Sequence, residues 1–281
     1  FHSEIGFIKK RITESLGDLY GMHWPFKQHK TSRNIKILPH HENLKSFGAC
    51  FGVSGGYERP MWFALDGEKA EYEYSYNYQN WYPSAEYETS NTTKNVGLFD
   101  LTPFSKFEIV SDNAHQELQR ICTANIKNEI GKCTYTHMLN SDGGIETDLT
   151  VVCLDKNHFR LISSAATRER DKFHIKKHLS NEIELKDVTD KFCVFGLFGP
   201  KSRDLIKIIS NDNFENENFK FGTGKSISIE GINIWAQRLS YVGELGYELY
   251  VEFDDAKKIY ELIINKGKDF NLSNCGMHAM D

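Results

Sequence analysis

The sequence predicts an α+β fold, with mixed or antiparallel sheets and flanking helices. Three observations carry that class. Residues 133–140 and 145–154 alternate as strands across the turn Ser141-Asp142-Gly143-Gly144. Residues 233–242 and 247–253 do the same across Gly243-Glu244-Leu245-Gly246. Such hairpins build antiparallel sheet, and segments of helical periodicity lie between them. No internal repeat of fixed period is present.

The elements follow in order. Residues 3–20 read as a helix with Ile5, Ile8, Ile12, Leu16 and Leu19 in one apolar stripe, Ser3 as N-cap and Gly21 as the stop. The next stretch has two prolines, many basic residues and little periodicity, so it reads as a connector over a surface. Its His40-His41 pair is expected in a solvated loop rather than at a metal. A short helix over 41–49 then leads into the glycine-rich aromatic segment 51–57. Residues 71–83 carry Tyr72, Tyr74, Tyr76 and Tyr78 at every second position, the pattern of an aromatic strand packed on one face.

Residues 106–110 read as a strand. Ser111 or Asp112 is placed to cap a helix running to about Cys122. A strand over 158–163 is followed by a helix over 167–179, with Phe173 and Leu179 among its apolar positions. The run FCVFGLF, 192–198, is a fully apolar strand. Gly199-Pro200 then opens a helix to Ile209, with Pro in the first turn and Lys201 and Arg203 expected at the surface. Asp254 or Asp255 caps a last helix through Lys266.

Bulk properties exclude several classes. The chain has 281 residues, 40% hydrophobic, which is enough for a core and argues against disorder. The net charge of −5 is of mixed sign, so there is no clustered basic footprint for nucleic acid. No apolar run approaches the roughly 20 residues of a membrane span. Six cysteines show no C-x-x-C spacing and read as reduced, mostly buried thiols of an intracellular protein. The first residue is not Met, and the last lies in what looks like the middle of an element, so a piece of a longer protein is expected.

Both hairpins present carboxylates. On 145–152, Ile145, Thr147, Leu149 and Val151 share one face, while Glu146, Asp148 and Thr150 take the other. Strand carboxylates ordinarily face solvent, but here two glycine-turned hairpins each carry one in mid-strand. On 247–253, Tyr247, Leu249, Val251 and Phe253 form the core face, opposite Glu248 and Glu252. A four-residue turn would set Tyr241 directly across from Glu248, an aromatic ring beside a carboxylate. A carboxylate takes two parallel bonds from a planar N–H/NH₂ edge, and the ring would stack on that ligand's face. A pterin, a guanine or a guanidinium all fit that description. A second carboxylate, Asp148, could receive or relay a proton near a reacting amine. His137, on the strand before the first turn, either lines the same pocket or packs.

Four stretches in order, VGLFDLTPFSKFEI (96–109), YTHMLNSDGGIETDLTV (135–151), FGLFGPKSRDLI (195–206) and LSYVGELGYELYV (239–251), resemble the glycine-cleavage T-protein family of tetrahydrofolate-dependent aminomethyltransferases. The N-terminal RITESLGDLYGMHWPFKQHKTSRNIKILPHH, followed by GACFGVSGGYERPMWFA, is similar to the connecting region of dimethylglycine and sarcosine dehydrogenases, where an FAD-binding amine oxidase domain precedes a T-protein-like folate domain. The resemblance implies that residues 1–37 are the end of the oxidase region plus connector, and that 38–281 is a C-terminally truncated folate domain. It implies a T-protein-like fold and a tetrahydrofolate site with Asp148 at the reacting nitrogens and Tyr241 and Glu248 on the pterin ring. Further site residues are expected beyond Asp281. T-proteins commonly carry two acids before the Leu; this chain has Thr147-Asp148, leaving Asp148 as the candidate. No G-x-G-x-x-G fingerprint is present, so FAD is expected to bind outside this piece, in an upstream domain of the same chain.

The implied function is transfer of a one-carbon unit from an oxidised N-methyl amine of glycine type to tetrahydrofolate. The alternatives are a stand-alone folate-dependent demethylase and a non-catalytic folate-binding module. No nucleic-acid or membrane partner is expected. The expected compartment is the cytoplasm in a bacterium and the mitochondrial matrix in a eukaryote.

Overall fold

In the computed structural model, which describes residues 4–281, the chain begins with α1 (Ile5–Gly17), α2 (His41–Ser46) and the hairpin β1 (Ala49–Ser54) with β2 (Tyr57–Phe63). Then come α3 (Tyr82–Lys94), β3 (Val96–Asp100), β4 (Ser105–Val110), α4 (Ala114–Ile121), β5 (Cys133–Leu139), β6 (Ile145–Asp155) and β7 (His158–Ser163). The remainder is α5 (Arg168–His178), β8 (Leu185–Asp187), β9 (Phe192–Phe198), α6 (Ser202–Ile209), β10 (Thr223–Ile229), β11 (Ile232–Arg238), β12 (Gly246–Glu252), α7 (Ala256–Gly267) and β13 (Leu272–Cys275). The expected cap Ser3, and His2, lie outside the described residues.

Besides the β1–β2 hairpin there are two larger sheets. One has the order β10-β11-β12-β9-β3-β13, with only the β13–β3 pair parallel; the other has the order β5-β6-β7-β4-β8 and is antiparallel throughout. This is the α+β class that the hairpins predict.

Alternation explains the packing. On the six-stranded sheet Phe195, Leu197, Tyr247, Leu249 and Val251 share a core with Leu205, Ile206 and Ile209 of α6 and Ile259, Tyr260 and Ile263 of α7. The five-stranded sheet packs Phe107, Ile109, Leu149, Val151, Phe159 and Leu161 against Leu118 of α4 and Ile175 of α5. A third cluster, with Trp62, Trp81, Phe99, Leu101, Val194, Phe198 and Tyr250, lies on the opposite side of the six-stranded sheet. That sheet is therefore buried on both faces.

Several expectations are corrected. Residues 71–81 form no strand. Gln79 and Asn80 side chains take the backbone N–H groups of Ser75 and Glu73, and Pro83 sits in the first turn of α3. Tyr72 and Tyr74 stack in parallel at 5.6 Å, whereas Tyr76 and Tyr78 are exposed. His40 and His41 are not solvated. His40 is buried, with Nε2 3.2 Å from Asp100 and its ring stacked 4.6 Å from Tyr260; His41 lies 4.4 Å from the Phe51 ring. The α1 stripe is largely exposed, and the helix is tied to the connector by Glu14, which accepts from the backbone of Lys30 and Thr31. Neither Ser111 nor Asp112 caps α4; its N-cap is Asn113, without a side-chain bond, and the Asp255 cap of α7 likewise makes none. Lys201 and Arg203 are half-buried and bonded, Lys201 to Asn95 and Arg203 to Tyr247 and Asn216. Phe173 is 70% exposed, because Asp171 and Ile175 form the buried face of α5.

Leu249→Ala should therefore cost about 2–5 kcal/mol in urea unfolding, the price of a cavity in a close-packed core. Phe173→Ala, in contrast, should stay within about 0.5 kcal/mol of the parent.

Candidate functional site

The two larger sheets and the β1–β2 hairpin line a cavity of about 820 Å³ that opens to solvent. Its wall includes Asp148 of β6, Tyr241 of the β11–β12 loop and Glu248 of β12, so the fold brings together the three residues singled out in the sequence. Core burial of Tyr247, Leu249 and Val251 turns Glu248 and Tyr250 to the other face of β12, towards the cavity.

The expected register is wrong. Glu248 pairs with Gln237, Leu249 with Ala236 and Tyr250 with Trp235. The connection is thus a seven-residue loop, 239–245, and Tyr241 is not across the ladder from Glu248. The two glycines split the roles available to them. Gly243 has φ +80 and open space around it, a turn position. Gly246 lies where a Cβ would stand 2.2 Å from the Phe198 ring and 2.9 Å from the Leu239 carbonyl, so it permits close approach. That approach seats the loop against β9, and Tyr241 reaches the cavity from the loop, 60% exposed, with its ring centroid 5.9 Å from that of Phe104.

Glu248 Oε2 accepts from Tyr250 at 3.0 Å and from Gln237 Nε2 at 3.2 Å. Oε1 accepts nothing within the described residues. A carboxylate has about four lone-pair sites, so two remain for a ligand. Burial pushes the Glu248 carboxyl up to about 7, opposed by its bonds from Tyr250 and Gln237 and by nearby Lys106. Burial likewise pushes the Lys106 ammonium down to about 7; its Nζ donates to the carbonyls of Thr102 at 2.8 Å and Phe104 at 2.7 Å. Asp148 is exposed towards the cavity and accepts from the Tyr135 hydroxyl at 3.2 Å. His137 pairs with Asp148 in the β5–β6 ladder and meets the Tyr135 ring edge-on at 5.2 Å, but it does not line the cavity.

Sequence reasoning missed Arg59, Lys106, Tyr135, Gln237 and Tyr250. Tyr250 was accessible from alternation, two residues from Glu248 on the same face. Arg59 and Lys106 come from strands distant in sequence, and local pattern does not connect them to Glu248. Among the described residues no group of three or more His, Cys, Asp or Glu is arranged to hold a metal, and no helix is long and apolar enough to cross a membrane. All six cysteines are free thiols, five of them buried.

A cavity of this size between two sheets, with a few charged and polar groups among apolar ones, has the form of a small-molecule site in an α+β domain. The model of the GCVT N-terminal domain matches residues 40–281, and the chain belongs to that family. It is 36% identical, over 98% of its length and 34% of the relative's, to 4-methylaminobutanoate oxidase (formaldehyde-forming) of Paenarthrobacter nicotinovorans. It is 32% identical, over 82% of its length and 27% of the relative's, to mitochondrial dimethylglycine dehydrogenase of Rattus norvegicus. The chain thus spans only 27–34% of the length of these relatives. The glycine cleavage system aminomethyltransferase T from Bartonella henselae superposes with a TM-score of 0.71 at 22% identity, covering 88% of this chain and 61% of that one, and so shares its fold.

The raised carboxyl of Glu248 has a stability consequence. Its folded value, about 7, lies above the ordinary 4.5, so the folded state binds more protons between those values and loses stability as pH rises from about 4.5 to 7. Glu248→Gln should remove that loss. Relative to the parent, the variant should gain about 1–3 kcal/mol on going from pH 4.5 to pH 8, read from urea midpoints at each pH.

Proposed function

We infer that this chain is the tetrahydrofolate-binding part of an FAD-dependent N-methyl amine dehydrogenase, and that it passes a one-carbon unit from the oxidised amine to tetrahydrofolate. In this reading residues 1–37 close the oxidase region and connector, 38–281 form the folate domain, and FAD binds in an upstream part of the protein. The observation that carries the reading is the single cavity shared by Asp148, Tyr241 and Glu248. The names of its relatives support the amine class, since dimethylglycine and 4-methylaminobutanoate are both methylated amines bearing a carboxylate.

The wall fits such a ligand. Arg59 Nε, Ser163 Oγ and Ser240 Oγ are buried without a partner among the described residues, and a polar ligand would supply one. Glu248 has two acceptor sites for the N–H/NH₂ edge of a pterin, and Tyr241 offers a ring face beside it. Tetrahydrofolate supplies the nucleophilic amine that takes up the one-carbon unit. Asp148 lies at the same cavity with a carboxylate that accepts from Tyr135. It would orient the amine N–H and hold or remove its proton, and it would stabilise positive charge at the reacting nitrogen. Glu248 has a separate role, in binding alone. It must be ionised to accept from two donors, so affinity follows its deprotonation.

Titration of the protein with tetrahydrofolate should show affinity falling roughly tenfold from pH 8 to pH 6. Glu248→Gln should weaken binding by roughly 10–100-fold and flatten that pH dependence, because the amide sets a donor against a donor. Unchanged affinity would remove Glu248 from the site. Asp148→Asn should keep the affinity while one-carbon transfer, assayed in the full-length protein, falls by roughly 100-fold or more. Intact transfer in that variant would end the role given to Asp148.

A further inference from the structure

Arg59 is the third residue of β2, opposite Gly52 in the β1–β2 ladder, and it lines the same cavity as Glu248 and Asp148. Its guanidinium makes no hydrogen bond within the described residues, and its Nε is sealed from solvent. No carboxylate among those residues comes within 4 Å of it. The adjacent Glu58 faces the other way, where it is held by Arg33 Nε at 2.8 Å and the Asn34 N–H at 2.7 Å. Of the acids that influence Arg59, Asp100 is taken by His40 and by the Thr102 N–H at 2.8 Å, and Asp281 forms no ion pair with it. Lys106, the other cation in the wall, already donates to two carbonyls.

A largely buried guanidinium with an orphaned N–H is costly unless something fills its donors. Its planar fork matches a carboxylate in a bidentate pair, a fit that a lysine ammonium does not offer. We propose that Arg59 is a carboxylate-binding residue of this cavity. The carboxylate belongs either to the amino-acid-type methylamine or to the glutamate of tetrahydrofolate. Arg59 anchors that end of the ligand, while Asp148 and Glu248 face the reacting amine and the pterin edge. This assignment rests on the folate reading only for the second source.

The test is calorimetric titration of the parent, Arg59→Met and Arg59→Lys with two matched pairs of probes. Tetrahydrofolate is paired with tetrahydropteroate, which lacks the glutamate, and N,N-dimethylglycine with N,N-dimethylethylamine, which lacks the carboxylate. Arg59→Met should weaken at least one carboxylate-bearing probe by roughly 10–100-fold and leave its carboxylate-free counterpart unchanged. A loss confined to tetrahydrofolate assigns the glutamate, and a loss confined to dimethylglycine assigns the amine. Arg59→Lys keeps charge and stem, so it guards against misfolding and should give an intermediate loss. The proposal is overturned if both members of a pair weaken equally, if neither carboxylate probe changes, or if the parent binds neither of them. Should the parent bind neither pterin, the folate reading fails, while the dimethylglycine pair still decides Arg59.

Discussion

The structure turns on the double burial of one strand. β12 lies between β11 and β9 in the six-stranded sheet, and Tyr247, Leu249 and Val251 are drawn into the core with α6 and α7. A pleated strand then has no choice about its other side chains. Glu248 and Tyr250 must face the opposite way, where Val194 and Leu101 close the sheet and the cavity opens. The free energy of the hydrophobic core therefore holds a carboxylate in a place that hydration alone would not choose. Burial raises that carboxyl to about 7, and the Tyr250 and Gln237 donors keep the rise from going further.

The same constraint gives the cavity its mixed character. Asp148 arrives from the five-stranded sheet, whose β6 buries Thr147, Leu149 and Val151 and turns Asp148 outward. Lys106 arrives from β4 of that sheet and Arg59 from the small hairpin. Two acids and two bases thus meet on rigid strands, while Ser240 and Tyr241 are supplied by the 239–245 loop. Strand-borne groups lose little freedom on binding, and that pre-organisation favours recognition of a polar ligand.

Much of the fold was legible because its signals are local. The apolar run at Phe192–Phe198, the glycine turn between β5 and β6 and the Gly199-Pro200 pair ahead of α6 are each read from a few neighbouring residues. Failures arose where a local pattern had two solutions. Four tyrosines at alternate positions suit a strand, yet the Gln79 and Asn80 amides satisfied that backbone without a partner strand. His40-His41 looked polar and exposed, yet Asp100 and Tyr260, far along the chain, bury and satisfy His40.

For the candidate site, sequence alone determined which face of β12 and of β6 carries a carboxylate, because alternation is a property of the strand itself. The residues Asp148, Tyr241 and Glu248 could be named on that basis and on resemblance. Only the tertiary structure decided that they share a cavity, that Gln237 rather than Tyr241 opposes Glu248, and that Arg59 stands in the wall with no carboxylate of the described residues paired to it. Register and cavity depend on how β11, the 239–245 loop and three separate sheets pack together. The register is settled by the close approach of Gly246 to Phe198, and the cavity by Arg59, Lys106 and Asp148 meeting Glu248 from a hundred or more positions away, which no local pattern encodes.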